Sequence, residues 1–386
     1  FDADNDGLPN DYETANDLNP VDASDAQSDS DMDGLTALEE YNLGTSPTND
    51  DTDRDTLPDG WEVENGRDPM VADYQIQVGE GLICALDDSG VVCWGHADNH
   101  NESPWSVANY TFDPPELKNP TKLTVNDWHA CVLDDTGVVC WGYDTEGETN
   151  PPNLINPTDI KVGGKNTCAI DDTGVVCWGE KYDRYNLTVP VLSNPTRIEM
   201  GFHHACAMDD TGLVCWPSGC NDGLCDIPEL SNPTQFELGW QQTCAIDDTG
   251  LVCWGSDYLR SDEVPVLNNP IQISMASYHD CALDNSGVHC WNGQNNDLKN
   301  IPVLINPAQI SAGNITHCAL TDLGVVCWGG NQYGGLDVPD LMIDPDGDGH
   351  SNQNGLDAFP FDATEWLDTD LDGVGNNADT DDDNDG

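Results

Sequence analysis

Seven times along the chain two cysteines stand nine positions apart, inside phrases such as Cys168 to Gly179, CAIDDTGVVCWG. The pairs are Cys84/Cys93, Cys131/Cys140, Cys168/Cys177, Cys206/Cys215, Cys244/Cys253, Cys281/Cys290 and Cys318/Cys327. Their first members are separated by 47, 37, 38, 38, 37 and 37 residues, the signature of an array of like units. Within a unit, two short β-rich runs flank a glycine-containing turn, which predicts a hairpin with the cysteines facing each other. After each hairpin comes a variable stretch and a proline-bearing element, such as TVPVLSNP or NIPVLINP. The pattern predicts about four short strands per unit, seven times over. Radial repetition of such sheets removes most exposed edges, so the expectation is all-β: a seven-bladed β-propeller with disulfide-stapled hairpins. An open solenoid would need distinct polar caps, which the seven full copies do not supply.

The remaining cysteines, Cys220 and Cys225, are close neighbours, so all sixteen pair locally. An even count with local spacing points to disulfides in an oxidising compartment. Zinc would require four ligands to converge, whereas each pair belongs to a different unit. A hairpin bridge closing about ten residues stabilises by about 2.7 kcal/mol in the chain-entropy model, before strain is deducted. The glycine of DDTG supplies the positive φ of a tight turn. Trp94, Trp141, Trp178, Trp216, Trp254, Trp291 and Trp328 recur with the cysteines. They are expected to fill the space between blades too small to bury their own faces.

Residues 74–343, about 70% of the chain, resemble the regulator of chromosome condensation family through phrases such as CALDDSGVVCWG, CVLDDTGVVCWG and CALTDLGVVCWG. The resemblance implies a seven-bladed propeller. It is closer to secreted microbial propellers, including inhibitors of secreted enzymes, than to the nuclear member that acts on a small GTPase.

The flanks, 1–73 and 344–386, carry a different pattern. Asp2, Asp4, Asp6, Leu8, Asn10 and Glu13 occupy positions 1, 3, 5, 7, 9 and 12 of a calcium loop with Gly7 at the turn. Alternate oxygens wrap one hard cation, position 7 gives its carbonyl, and position 12 can give two oxygens. The pattern recurs as Asp29, Asp31, Asp33, Leu35 and Glu40, and as Asp51, Asp53, Asp55, Leu57, Asp59 and Glu62. In the third loop Thr56 replaces the glycine, which predicts a weakened or reshaped site. Near the C-terminus the candidates are Asp344, Asp346, Asp348, His350 and Asn352, with Asp357 standing in for the glycine at position 12. Asp368, Asp370, Asp372, Val374, Asn376 and Asp379 form a fuller loop, and Asp381, Asp383 and Asp385 begin another. These flanks resemble thrombospondin type 3 repeats, the match lying in DADNDGLPNDYE, DSDMDGLTALEE, DTDRDTLPDGWE and DTDLDGVGNNAD. The cofactor they imply is Ca2+. Bound calcium would cancel much of the charge of 36 acidic residues in 116 positions and stiffen both flanks.

The whole chain holds 72 acidic and 11 basic residues, a formal charge of −61, so it repels a phosphate backbone and a nucleic-acid partner is not expected. No apolar run is long enough to span a membrane. The chain opens at Phe1 and stops on an Asp-rich run, and it reads as a piece of something longer. No catalytic motif appears. His129, His204 and His279 each precede a hairpin cysteine by two residues, which argues for structural hydrogen bonds. Sequons at Asn101, Asn109, Asn186 and Asn314 suit a surface glycoprotein. The first unit is ten residues longer than the others, and its excess carries Trp105 and Tyr110, the candidate partner contacts.

The resulting expectation is a non-enzymatic, extracellular, calcium-dependent structural, adhesive or protein-binding module of a larger cell-surface protein or filament. Its partner would be a protein or glycan at a cell surface, or a further copy of the chain. The alternative is a secreted propeller that inhibits an extracellular enzyme or binds a ligand.

Overall fold

The computed structural model describes residues 1–79, 81–95, 112–180, 188–217, 223–255, 264–277, 279–291, 300–331, 333–379 and 382. Trp105, Tyr110, Asn101, Asn109, Asn186, Cys220, Asp381, Asp383 and Asp385 lie outside them. The chain divides into two compact units, Phe1–Asp73 and Tyr74–Gly386.

In the second unit the described residues form seven three-stranded antiparallel sheets, each made of strands consecutive in sequence. The first runs through Gln75–Val78, Leu82–Asp87 and Gly90–Gly95. Its inner strand has six counterparts: Lys122–Val125, Asp159–Gly163, Arg197–Met200, Gln235–Leu238, Pro270–Met275 and Gln309–Ala312.

Each hairpin places its cysteines directly opposite one another, as Cys168 faces Cys177. The bridges are Cys84–Cys93, Cys131–Cys140, Cys168–Cys177, Cys206–Cys215, Cys244–Cys253, Cys281–Cys290 and Cys318–Cys327, with Cα atoms 4.0–4.1 Å apart. The two members of a pair differ in surroundings. The first, on the middle strand, is buried in every blade. The second is only half-buried: Cys93, Cys140, Cys177, Cys215, Cys253, Cys290 and Cys327 all stand on the third strand of their sheet. That strand pairs on one side only among the described residues, so each bridge ties a less covered strand to a fully covered one. There is no free cysteine among the described residues, and Cys225 is also bridged.

Successive inner strands are stitched by side chains that accept from the next strand's backbone. Gln75 Oε1 accepts from Leu123 N at 2.9 Å, Asp159 Oδ2 from Ile198 N at 2.9 Å and Gln235 Oε1 from Ile273 N at 2.8 Å. The series returns to its start: Ile76 N donates to Gln309 Oε1 at 2.6 Å and Val78 N to Ser311 Oγ at 2.9 Å. The glycine at the end of an inner strand permits this approach, since a Cβ on Gly313 would lie 2.6 Å from the Gly79 carbonyl oxygen. The tryptophans fill the gaps between blades. Trp216 packs on Cys168 and Ile170 of the preceding blade, and Trp141 on Leu82 and Cys84.

The fourth strand expected in each unit is absent from the described residues. Prolines remove ladder donors from the P-x-L-x-N-P element, and its asparagine takes a left-handed conformation, as Asn194 does at φ 50°. The element also belongs to the hairpin after it, not the one before. Ser193 N donates to Asp209 Oδ2 at 2.8 Å and Asn194 Nδ2 to Asp210 Oδ2 at 2.6 Å. This assigns a task to the repeated Asp-Asp. The first carboxylate also caps its own turn, Asp209 Oδ1 accepting from Thr211 N and Oγ1. For the first hairpin the element comes from the far end of the chain. Met342 N donates to Asp87 Oδ2 at 2.8 Å, and Asp344 N to Asp88 Oδ2 at 2.8 Å.

The first unit has three short helices, α1 (Asn10–Ala15), α2 (Ala37–Leu43) and α3 (Asp59–Asn65). Each follows one acidic loop. Thr36 and Glu39 form a capping box on α2, which Gly44 ends in a left-handed conformation. Apolar burial is sparse, chiefly the position-7 leucines Leu8, Leu35 and Leu57 with Ala26 and Ala37.

Candidate calcium centres and the channel face

All five loops share one backbone geometry. The position-1 carboxylate accepts from the amides of positions 4 and 6: Asp2 from Asn5 and Gly7, Asp29 from Met32 and Gly34, Asp51 from Arg54 and Thr56, Asp344 from Gly347 and Gly349, Asp368 from Leu371 and Gly373. The position-5 carboxylate accepts from position 7, as Asp55 Oδ1 does from Leu57 N at 2.8 Å. Thr56 holds φ 83° where the other loops have glycine. The third loop therefore keeps its shape, at the cost of a β-branched residue in a region such residues avoid.

These turns take the oxygens of position 1 and one oxygen of position 5, and leave those of positions 3 and 12. Both carboxylate oxygens of Asp4, Glu13, Asp31, Glu40, Asp53 and Glu62 are buried with no hydrogen-bond partner. Glu13, Glu40 and Glu62 are fully buried and sit at the start of a helix, aimed back at their loop. Carboxylates this close raise one another's proton affinity. Burial, then Asp31 and Asp33, push Glu40 up to about 8. Burial, then Asp55 and Asp53, push Glu62 up to about 10. Buried anions without donors are costly, and a hard divalent cation satisfies them, so the residues fit calcium. In the fourth loop the orphaned atoms belong to Asp346, Asp348, Asn352 and Asp357, with Asp357 in the part usually played by position 12.

Two contributors fall outside the twelve-residue register. Asp25, between the first two loops, brings its carboxylate within 4.8 Å of those of Asp6 and Glu13. Asp59, expected in the third loop, lies that close to Asp33 and Glu40 of the second, while both its oxygens accept from Thr52. Register places ligands within a loop; only packing reveals one supplied by the following segment.

The histidines are tied into the fold. His129 Nε2 pairs with Thr167 Oγ1 and His204 Nε2 with Thr243 Oγ1, each at 2.8 Å and each reaching the next blade. Burial lowers both to about 4. The buried His279 packs edge-on against His317 of the next blade, ring centroids 5.9 Å apart. Asn314 Oδ1 accepts from Ser277 N at 2.8 Å. The hairpin cysteines serve as links alone: with Cys93, Cys140, Cys215, Cys253 and Cys327 held in bridges, none offers a thiolate to a metal or a substrate.

The inner strands surround a cavity of about 160 Å³. Among the described residues its charged lining, Asp127, Lys161, Glu199 and Glu237, comes from four successive blades. Arg197 reaches Glu199 at 3.0 Å, Lys161 reaches Glu199 at 2.8 Å, and Lys161 reaches Glu237 at 3.8 Å. Gln77, Ser274 and Ser311 occupy the other side. The tips leaving the inner strands add Trp128, Phe202 and Trp240 to the lining, and Trp240 Nε1 donates to His203 Nε2 at 3.1 Å. No motif in the sequence marks this site. Its signal is that the two tip positions change in every repeat while the hairpins barely change.

The sheets and their cyclic stitching define a β-propeller. No protein-family profile matches the chain, and no curated protein does. Among solved structures, the ectodomain of the Physcomitrella patens receptor kinase CR4 is 22% identical with a TM-score of 0.54, covering 67% of this chain and 73% of its own. The CRINKLY WD40 ectodomain of the Arabidopsis thaliana receptor kinase ACR4 is 20% identical with a TM-score of 0.54, covering 71% of this chain and 98% of its own. Prp20p from Saccharomyces cerevisiae, the yeast RCC1, is 13% identical with a TM-score of 0.51, covering 70% and 85%. At these identities the likeness is one of fold.

Proposed function

We propose that the chain is a non-enzymatic extracellular binding module: a disulfide-stapled propeller borne with calcium-organised segments in a larger cell-surface protein or filament. The observation that carries the calcium half is the set of buried carboxylate oxygens without donors at positions 3 and 12 of three successive loops. Asp4, Asp6 and Glu13 would hold one ion, Asp31, Asp33 and Glu40 a second, and Asp53, Asp55 and Glu62 a third. Asp346, Asp348, Asn352 and Asp357 would hold another, beside the element that closes the first blade. Calcium would supply charge neutralisation and a fixed centre for each loop to fold around, with no reaction chemistry. Seven bridges support an oxidising, extracellular setting. The neighbours support protein binding: two are receptor ectodomains, and the structure of Prp20p was described with its binding to Gsp1p and histones.

Isothermal titration of the full chain with calcium tests the reading. Several ions should bind, with protons released at pH 7.5 and at least one site lost in Glu13→Gln. Heat no greater than that of dilution at millimolar calcium overturns it.

A further inference from the structure

Apart from the variable stretch after each hairpin, the repeats differ strongly at the two residues that turn each inner strand into its hairpin. These positions hold Asp127-Trp128, Gly164-Lys165, Phe202-His203, Trp240-Gln241 and Asn314-Ile315 in successive described blades. The backbone beneath four of these tips is alike, while Gly164 takes a left-handed conformation at φ 52°. The last inner residue donates across the tip in the same way each time: Asn126 N to His129 O at 3.1 Å, Gly201 N to His204 O at 2.9 Å, Gly239 N to Gln242 O at 2.9 Å and Gly313 N to Thr316 O at 3.0 Å. A rigid frame carrying different side chains at one fixed place is how folds display recognition residues.

Three of these side chains are large aromatics on one arc. Trp128, Phe202 and Trp240 all border the channel, and Phe202 is 41% exposed. Exposed aromatics at a cavity rim are the usual anchors of a protein contact. Glu237, three residues before Trp240, stands on the inner strand Gln235–Leu238 and lines the same cavity. Glu199 and Glu237 share Lys161 unequally, at 2.8 and 3.8 Å, and Arg197 also goes to Glu199. Glu237 is therefore the less compensated carboxylate, and its side chain is 21% exposed to the channel. Indole and phenyl rings that line one cavity with a carboxylate suit an ammonium or guanidinium group. A chain of formal charge −61 steers such cations toward itself.

We propose that this face binds a basic segment of a partner protein, whose lysine or arginine side chain passes between Trp128, Phe202 and Trp240 to reach Glu237. The inference rests on the protein-binding reading of the propeller and adds its site and the chemistry of its partner. It is independent of the calcium reading.

The probe is a short acetylated and amidated peptide with one lysine, compared with the same peptide carrying N-ε-acetyl-lysine. Binding to the full chain is measured by calorimetry in about 150 mM salt, which screens distant charges. Saturating calcium keeps the acidic loops filled, so failure here leaves the calcium titration untouched. The lysine peptide should bind at least tenfold more tightly than its acetylated twin. Glu237→Gln and Trp240→Ala should each lose at least tenfold, and Glu64→Gln in the first unit should lose nothing. Phe202→Ala, at an exposed position, should lose about threefold and serves if Trp240→Ala does not fold. Equal binding of the two peptides, or unchanged binding by folded Glu237→Gln, overturns the proposal. So does tight binding of a neutral oligosaccharide that survives Glu237→Gln, which would assign the face to glycans.

Discussion

Residues 1–73 hold 22 acidic side chains, two basic ones and no cysteine, whereas all sixteen cysteines lie in residues 74–386. The two units solve the problem of a small core by different means. A blade of three short strands cannot bury both faces, so it borrows apolar surface from the preceding blade through its tryptophan and fixes its hairpin with a disulfide. The first unit buries carboxylates at its centre instead, with one leucine per loop for apolar support. The propeller carries its stabilisation in the chain itself, while on the proposed calcium reading the first unit would depend on an ion it must acquire. The same kind of residue, aspartate, serves both. In the blades its oxygens accept from backbone, hydroxyl and side-chain amide donors, as at Asp209 and Asp210, and in the loops those of position 3 are left open.

The largest difference should come from reduction. Each hairpin bridge contributes about 2.7 kcal/mol in the chain-entropy model, and seven non-additive contributions exceed the stability of a typical domain. Thiol reductant should therefore unfold the sheets or lower their melting temperature by tens of degrees. The calcium response of residues 1–73 should be unchanged in the same sample, as read by protease mapping. Equal loss in both units would erase the contrast.

A sign change comes next. Glu62→Gln removes a carboxyl that must take up a proton to be buried without calcium, so near pH 7 it should raise the melting temperature of the first unit in chelator and lower it in calcium. Affinity at the third loop should fall at least tenfold, since a bidentate oxygen pair is lost. Calorimetry in both buffers reads both effects.

The pH dependence sharpens the same point. Without calcium, Glu40 and Glu62 keep their protons to about pH 8 and 10 in the folded unit but lose them near 4.5 when unfolded. The folded state then binds more protons, so its stability should fall as pH rises from about 5 to 8. Saturating calcium should abolish that slope. A calcium-free stability that rises over this range contradicts the account.

The smallest effect belongs to the blade clasps. Asn194→Ala loses the bond to Asp210 and places a Cβ-bearing residue without a local partner at φ 50°, which should cost about 1–3 kcal/mol. Denaturant melting reads it, and calcium affinity should not move.

Much of this architecture could be read from residue spacing. Cysteines nine apart fall opposite each other across a hairpin, and the repeated Asp-x-Asp-x-Asp spacing folds into one turn five times, so local pattern sufficed for both shapes. What stayed hidden depends on distant packing. The identical spacing of Cys84 and Cys93 gives no hint that the first is buried and the second half-covered, because that depends on which strand has neighbours on both sides. The P-x-L-x-N-P element looks like the end of its repeat because it follows the hairpin. Only the bonds from Ser193 and Asn194 to the Asp209-Asp210 turn show that it opens the next. Its expected strand fails because proline and a left-handed asparagine break the ladder, a conflict visible in the residues themselves. The reach of Asp25 to Asp6 and Glu13, and the gathering of Trp128, Phe202 and Trp240 from three blades, have no sequential signal beyond their variability.

The contrast between the units is tested most directly by amide hydrogen exchange on the full, oxidised chain, followed by mass spectrometry with and without a calcium chelator. Chelation should abolish protection in α1, α2 and α3 and in the three loops before them, while the inner strands and hairpins from Gln75 to Gly329 keep theirs. Protection of the helices that is indifferent to chelator, or a loss shared equally by helices and sheets, would contradict the claim that carboxylate-bound calcium holds one unit and bridges and packing hold the other.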